Sequence, residues 1–251
     1  MSTLRSENLK KLFLFNREIP ITTTKLKKNG ISPSLARKYK ESGWIESIGT
    51  GAFKFPGAAL TIEGVLHALQ EDLSLNIYAG AKTALELSGV RHFYRERDKI
   101  YLFADIKTNL PLWVKSYPWG RDIQVVRSVK WNKKKFLFNP GTKDFDFFVA
   151  SRELAILEQI ELINRGEHFL ETAQLFEILD SLNPELMNEM LKEASVKGKR
   201  IFSFLANYYN HSWKKSLNRR IIATGDSVIT VEKGGKYIKD YHLVIPGGFG
   251  V

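Results

Sequence analysis

The chain has 251 residues, 43% of them hydrophobic and 12% aromatic, and 38 Lys/Arg against 27 Asp/Glu give a formal net charge of +11. Such a length and apolar content suit two or three packed domains and argue against disorder. No apolar run reaches the roughly 20 residues of a membrane span, MSTLRSENLKK lacks a signal-peptide core, and cysteine is absent, which points to a cytoplasmic, soluble protein without disulfides, thiol nucleophiles or thiolate metal sites.

The spacing predicts a helix over Thr3–Phe15 with Leu4, Leu9, Leu12 and Phe13 on its core face. A short helix follows at Thr24–Lys28, capped by a threonine, and Asn29-Gly30 reads as a tight turn. Ser32 is the expected cap of a third helix, with Pro33 at its first position. Ile31, Leu35 and Tyr39 would face inward, and Ser34, Arg37, Lys38 and Glu41 outward. Trp44 and Ile45 open a wing of two strands around Gly49-Thr50-Gly51, from which Phe53 and Phe55 return to the core. This order is a winged helix-turn-helix over residues 1–56, with a boundary at Pro56-Gly57.

Residues 1–56 hold eleven Lys/Arg and four Asp/Glu, so +7 of the total +11 lies on the smallest segment. Concentrated positive charge drives duplex binding through counterion release, and a basic helix with small polar residues at its start suits the major groove. The expected DNA-contacting set is Thr24, Lys25, Ser32, Ser34, Arg37, Lys38, Lys40, Thr50 and Lys54. A solvated basic face on a protein-binding helical hairpin is the bland alternative.

Residues 57–150 read as an α/β segment. Thr61 caps a helix running to Leu73, residues 75–79 form a buried strand, and Lys82–Ser88 is a helix stopped by Gly89. Strands are expected at 99–104, 123–129 and 135–138, with exposed-looking aromatics in the loops around Trp113 and Trp119. The run Lys130–Lys135 is either a solubilising hairpin turn or a grip on nucleic acid.

Residues 151–251 form a helical segment closed by antiparallel strands, so the whole is α+β: a winged helix, then a mixed region with helices packed on sheet. Leu154, Leu157, Ile160 and Ile163 make one stripe, and further helices start near Leu175, at Asn183-Pro184 and at Lys197. Strands are expected at 219–223, 228–231 and 241–245, with KGGK (233–236) as the turn between the last two. Ten acids and three bases in residues 151–194 are followed by three acids and ten bases in 195–251. The basic cluster either neutralises the acidic helices or faces nucleic acid, nucleotide or an acidic partner.

Enzyme readings find little support. The five histidines show no metal-ligand spacing; His67 with Glu71 is a solitary i, i+4 pair. Gly80-Ala81-Lys82-Thr83 lacks the glycines of a phosphate loop. Asp105-Ile106-Lys107 at a strand end, with Glu86 upstream, is the one acid-x-lysine arrangement a metal-dependent nuclease would use, and one such tripeptide is expected by chance. No metal, cofactor or catalytic residue is expected.

YAGAKTALELSGVRHFYR (78–95), SVKGKRIFSFLANYYNHSWKKSL (195–217) and GGKYIKDYHLVIP (234–246) resemble the AbiEi family, as does KNGIS…YKESGWIESIGTGAF near the N-terminus. The resemblance implies a type IV antitoxin acting in abortive infection and phage defence. Such a protein represses its own operon by binding inverted repeats in double-stranded operator DNA, and counteracts a nucleotidyltransferase toxin without a stable complex. The matching positions Ser34, Arg37 and Lys38 take the family's reading-helix role. Lys197, Lys199, Arg200 and Lys214 in the C-terminal block, with Arg219 and Arg220 after it, become a candidate antitoxin surface; His211 and Trp213 share that block, Trp213 more in the manner of a core residue. A transcription regulator without antitoxin activity is the alternative.

Overall fold

A computed structural model describes residues 2–90, 99–127, 134–165, 167–218 and 227–249. In chain order the elements are α1 (Ser2–Phe13), β1 (Ile21–Thr22), α2 (Thr23–Lys28), α3 (Pro33–Glu41), β2 (Glu46–Gly49), β3 (Ala52–Lys54), α4 (Ile62–His67), β4 (Ile77–Ala79), α5 (Ala81–Leu87), β5 (Ile100–Ala104), α6 (Leu112–Ser116), β6 (Ile123–Arg127), β7 (Leu137–Phe138) and β8 (Val149–Ala150). Four helices follow, α7 (Arg152–Leu162), α8 (Phe169–Glu177), α9 (Pro184–Glu193) and α10 (Val196–Tyr208), then β9 (Ile229–Thr230), β10 (Lys236–Ile238) and β11 (Leu243–Ile245). The chain forms two compact units: Met1–Tyr78 with Glu96–Val129 and Asn139–Phe148, and Ala79–Arg95 with Lys130–Phe138 and Val149–Val251.

The first unit opens with the winged helix. Thr22 Oγ1 accepts from Lys25 N at 3.0 Å and starts α2; Ser32 Oγ accepts from Leu35 N at 3.2 Å and starts α3, with Pro33 at its first position. Each cap satisfies an orphan N–H, so each start is specified locally. Gly30, at φ +77°, makes the turn between these helices in a region where a β-carbon is strained. β2 and β3 pair antiparallel as the wing, and β1 adds to β3 (Ile21 opposite Phe53), giving the order β1-β3-β2. Leu12, Ile21, Leu26, Ile31, Ala36, Tyr39, Ile45 and Phe55 fill the core. Phe13 departs from expectation: it is 48% exposed, its ring meeting Trp44 edge-on and stacking on Phe55.

Thr61 caps α4 as expected, and Leu66 and Leu69 are buried, but the predicted single helix widens into a π-turn over Ala68–Asp72. Gly64 sits against the backbone of Glu18, where an added β-carbon would lie 2.1 Å from a carbonyl oxygen. β5 and β6 pair in parallel from Ile100–Ile123 to Ala104–Arg127, and Phe103 stacks on Tyr78. The exposed-looking Trp113 is a correction: α6, which was not expected, turns it inward to 2% exposure.

In the second unit Ala79 pairs with Val149 in parallel and β7 with β8 antiparallel. α7 is its central helix, with Leu154, Leu157, Ile160 and Ile163 all buried; α5, α8, α9 and α10 pack around it. The small terminal sheet has the order β10-β11-β9, with β9 parallel and β10 antiparallel to β11. Here the expectation needs correcting, because the chain between the last two predicted strands is more than a turn: Lys236–Ile238 forms β10, held by β11. The strand expected at 219–223 lies outside the described residues, as do Lys130, Trp131, Asn132 and Lys133 of the basic run. Lys134 and Lys135 stand in a 3-10 turn, with Lys135 paired to Glu189.

Candidate nucleic-acid interface

α3 presents one polar face. Ser34, Arg37, Lys38, Lys40 and Glu41 are exposed, while Ala36 and Tyr39 anchor the opposite face. Because residues three and four apart share a helix side, Ser34, Arg37, Lys38 and Glu41 form one stripe. Ser32 Oγ lies 3.0 Å from Ser34 Oγ while capping Leu35 N, so its hydroxyl already serves the helix start. Arg37 Nε meets Glu41 Oε1 at 3.4 Å, with both side chains well in solvent (81% and 63% exposed). An exposed pair of this kind is weak and gives way readily to a phosphate.

The remaining predicted contacts are less uniform. Lys25 is half-buried with its ammonium 5.3 Å from the centroid of Phe15, a cation–π placement that ties it to the segment just after α1. Thr24 is half-buried, and Thr50 is exposed at the wing tip. Lys54 is committed elsewhere: its ammonium pairs with Glu46 at 2.7 Å, donates to Ala58 O at 2.9 Å and is 16% exposed. The wing glycine Gly49 faces the protein, its missing β-carbon replaced by close approach to Trp113. Lys27, absent from the predicted set, is exposed on α2; its signal was its place in the run Lys25–Lys28.

Two of the six candidate C-terminal cations, Lys197 and Arg200, are engaged inside the second unit. Lys197 donates to Glu161 O and Ile163 O at 3.0 Å each, closing the end of α7, and burial pushes its pKa down. Arg200 is 4% exposed and donates to Ser227 O. Both were expected outside and instead satisfy backbone carbonyls of the second unit. Lys199 is half-buried, Lys214 donates to Asn210 Oδ1 at 2.6 Å, and Arg219 and Arg220 lie outside the described residues. Trp213 is core, packed on Phe176 and Phe202 and donating to Leu179 O.

Gly80–Thr83 builds a closed ionic cluster. Glu158 accepts from Ala81 N at 3.0 Å and Gln159 from Lys82 N at 3.1 Å, so α7 side chains occupy the N–H groups a phosphate would need. Lys82 pairs with Glu167 at 3.1 Å and Glu171 at 3.0 Å, and Gln159 donates to Glu167. Burial, then the like charge of Glu167, raises the Glu171 pKa against the opposing pull of Lys82. Periodicity could not reveal this cluster, since its members sit on α5, α7, α8 and the turn before α8.

For the nuclease alternative, Asp105 accepts from Asn76 at 2.8 Å, Lys107 is exposed, and Glu86 is half-buried on α5. His67 Nδ1 bonds Asp146 O at 2.7 Å. Among the described residues no group of three or more His, Asp or Glu is placed to hold a metal, and no helix is long and apolar enough to cross a membrane.

Residues 7–95 match the family model described as the transcriptional regulator AbiEi antitoxin N-terminal domain. Residues 97–246 match the model described as a transcriptional regulator, AbiEi antitoxin, of a type IV toxin–antitoxin system. No curated protein matches the chain. The crystal structure of the RV2827C protein from Mycobacterium tuberculosis is similar over 96% of this chain and 91% of that one, with a TM-score of 0.65 and 15% identity, which shows a shared fold.

Proposed function

The chain belongs to the AbiEi family of transcriptional regulators and type IV antitoxins, and from that premise we propose that its winged helix binds inverted repeats in operator DNA and represses its own operon. The observation that carries this reading is the α3 stripe: Ser34, Arg37 and Lys38 are exposed on a helix whose other side is locked into the core. Arg37 and Lys38 would reach guanine edges or phosphates, Ser34 and the first turn would take a phosphate, and Lys27, Lys40 and Thr50 would add backbone contacts. One module buries little area, so useful affinity calls for two copies on a repeat. The antitoxin activity would oppose a nucleotidyltransferase toxin, with half-buried Lys199 and Lys214 the remaining candidates among the described members of the predicted set.

The test is a mobility-shift titration on the chain's own promoter. Arg37→Ala should cost about 1–3 kcal/mol if it reads a base, and Lys38→Ala should flatten the salt dependence. Equal binding by the Arg37→Ala/Lys38→Ala double variant would remove the DNA-reading assignment. Co-expression with the neighbouring open reading frame separates the second activity: rescue from a toxic neighbour supports antagonism, and indifference leaves a regulator alone.

A further inference from the structure

Residues 234–246 resemble the family yet have no part in the reading above, and residues 236–241 among them line a cavity of about 450 Å³ in the second unit. Its volume falls within the ~300–1,000 Å³ of small-molecule sites. Phe204 of α10, 1% exposed, forms its base, stacked with Tyr208 (ring centroids 5.8 Å apart, 28° between planes) and met edge-on by Tyr241 at 5.6 Å. The hydroxyl of Tyr241 accepts from the amide of Asn207, which fixes that ring against α10. Tyr208 and Tyr237 stay 37% and 47% exposed at the rim.

One feature of the lining and one of the adjoining residue His242 set this place apart from ordinary packing. Lys236 and Lys239 bring two exposed ammoniums to the aromatic rim, with the carboxylate of Asp240 beside them. His242, at φ +50°, holds a left-handed backbone that side chains rarely adopt, and its Nδ1 lies 3.3 Å from the Tyr237 hydroxyl. Strain of this sort persists where the surroundings impose it, and it gathers at binding sites.

Exposed π-faces take a flat heterocycle, paired ammoniums take an anion, and a neighbouring carboxylate accepts from amino or hydroxyl groups. We propose that this cavity binds a nucleotide. The base lies on the tyrosine rings, the phosphates meet Lys236 and Lys239, and Asp240 accepts from the base or ribose. A free nucleotide and the terminal nucleotide of a single-stranded RNA present the same chemistry. The inference does not depend on the winged-helix reading.

The experiment is calorimetric titration of the full chain with ATP, GTP, CTP and UTP separately, with inorganic triphosphate, and with a short single-stranded RNA. At least one nucleotide or the RNA should bind saturably. Tyr237→Ala and the double variant Lys236→Ala/Lys239→Ala should each weaken that binding tenfold or more, while Tyr237→Phe, which keeps the ring, retains it. Melting temperatures of these variants should match the parent, since the side chains are exposed. Nucleotide binding identifies the free ligand, and binding of RNA alone identifies a strand end; either supports the site. No binding at millimolar concentration, triphosphate binding as tightly as the nucleotides, or variants binding like the parent overturns it. Arg37→Ala should leave this titration unchanged, so failure of DNA binding and failure of the pocket are seen separately.

Discussion

Trp113 stands where a side chain on Gly49 would have to go: a β-carbon added at Gly49 would lie 2.7 Å from Trp113 Cβ and 3.2 Å from its Cα. Gly49 also has φ +147°, outside the comfortable range of other residues. The end of β2 is therefore braced against α6, and the wing has a rigid base. Gly49→Ala must shift Trp113 or the wing strand, at a cost of about 1–3 kcal/mol from backbone strain plus overpacking. Thermal unfolding should show a clearly lower midpoint; an unchanged midpoint would mean that the contact yields freely.

Arg37 makes a weak, exposed pair with Glu41 in the free protein. Replacing Glu41 with Ala removes a negative charge from the proposed DNA face and releases the guanidinium, so operator affinity should rise severalfold at low salt. Lys54→Ala should lower affinity far less than Arg37→Ala, because the Lys54 ammonium is engaged by Glu46 and Ala58. A loss with Lys54→Ala as large as that with Arg37→Ala would assign the wing a direct phosphate contact.

One ammonium, Lys82, faces two carboxylates, Glu167 and Glu171, in a site where the three side chains are 2–14% exposed. Lys82→Met leaves both acids buried without that cation and should destabilise by about 3–5 kcal/mol, as for other broken buried pairs. The folded pKa of Glu171 is raised above its ordinary value near 4.5. Its contribution is therefore fully present below that value and lost as pH rises through the raised one. Chemical denaturation across this window should show a declining component that Glu171→Gln lacks. Parallel pH curves for parent and variant would refute the linkage.

Lys197 closes the end of α7 through Glu161 O and Ile163 O. Lys197→Met keeps the length of the chain but leaves two carbonyls without their donor, costing about 1–3 kcal/mol. Burial lowers the Lys197 pKa, so the charged form is disfavoured on folding. The parent should therefore gain stability as pH rises from the lowered folded pKa toward the unfolded value of 10.5, and the methionine variant should not. Toxin rescue by this variant, at a temperature where it is folded, should equal that of the parent; specific loss of rescue would return Lys197 to a functional surface.

Local chemistry alone determined α2, α3 and their turn. Thr22, Ser32, Pro33 and Gly30 act within four residues of their own positions, and the inward set Ile31 and Tyr39 follows from a 3.6-residue period. The basic excess of the first 56 residues is likewise a property of composition. Tertiary structure decided which charges reach solvent. Arg200 meets Ser227, Lys197 meets the end of α7, Lys82 meets Glu167 and Glu171, and Trp113 meets Gly49, each across a wide gap in the chain. A cation's fate depends on the carbonyl or carboxylate that packing brings to it, and no periodicity encodes so distant a partner.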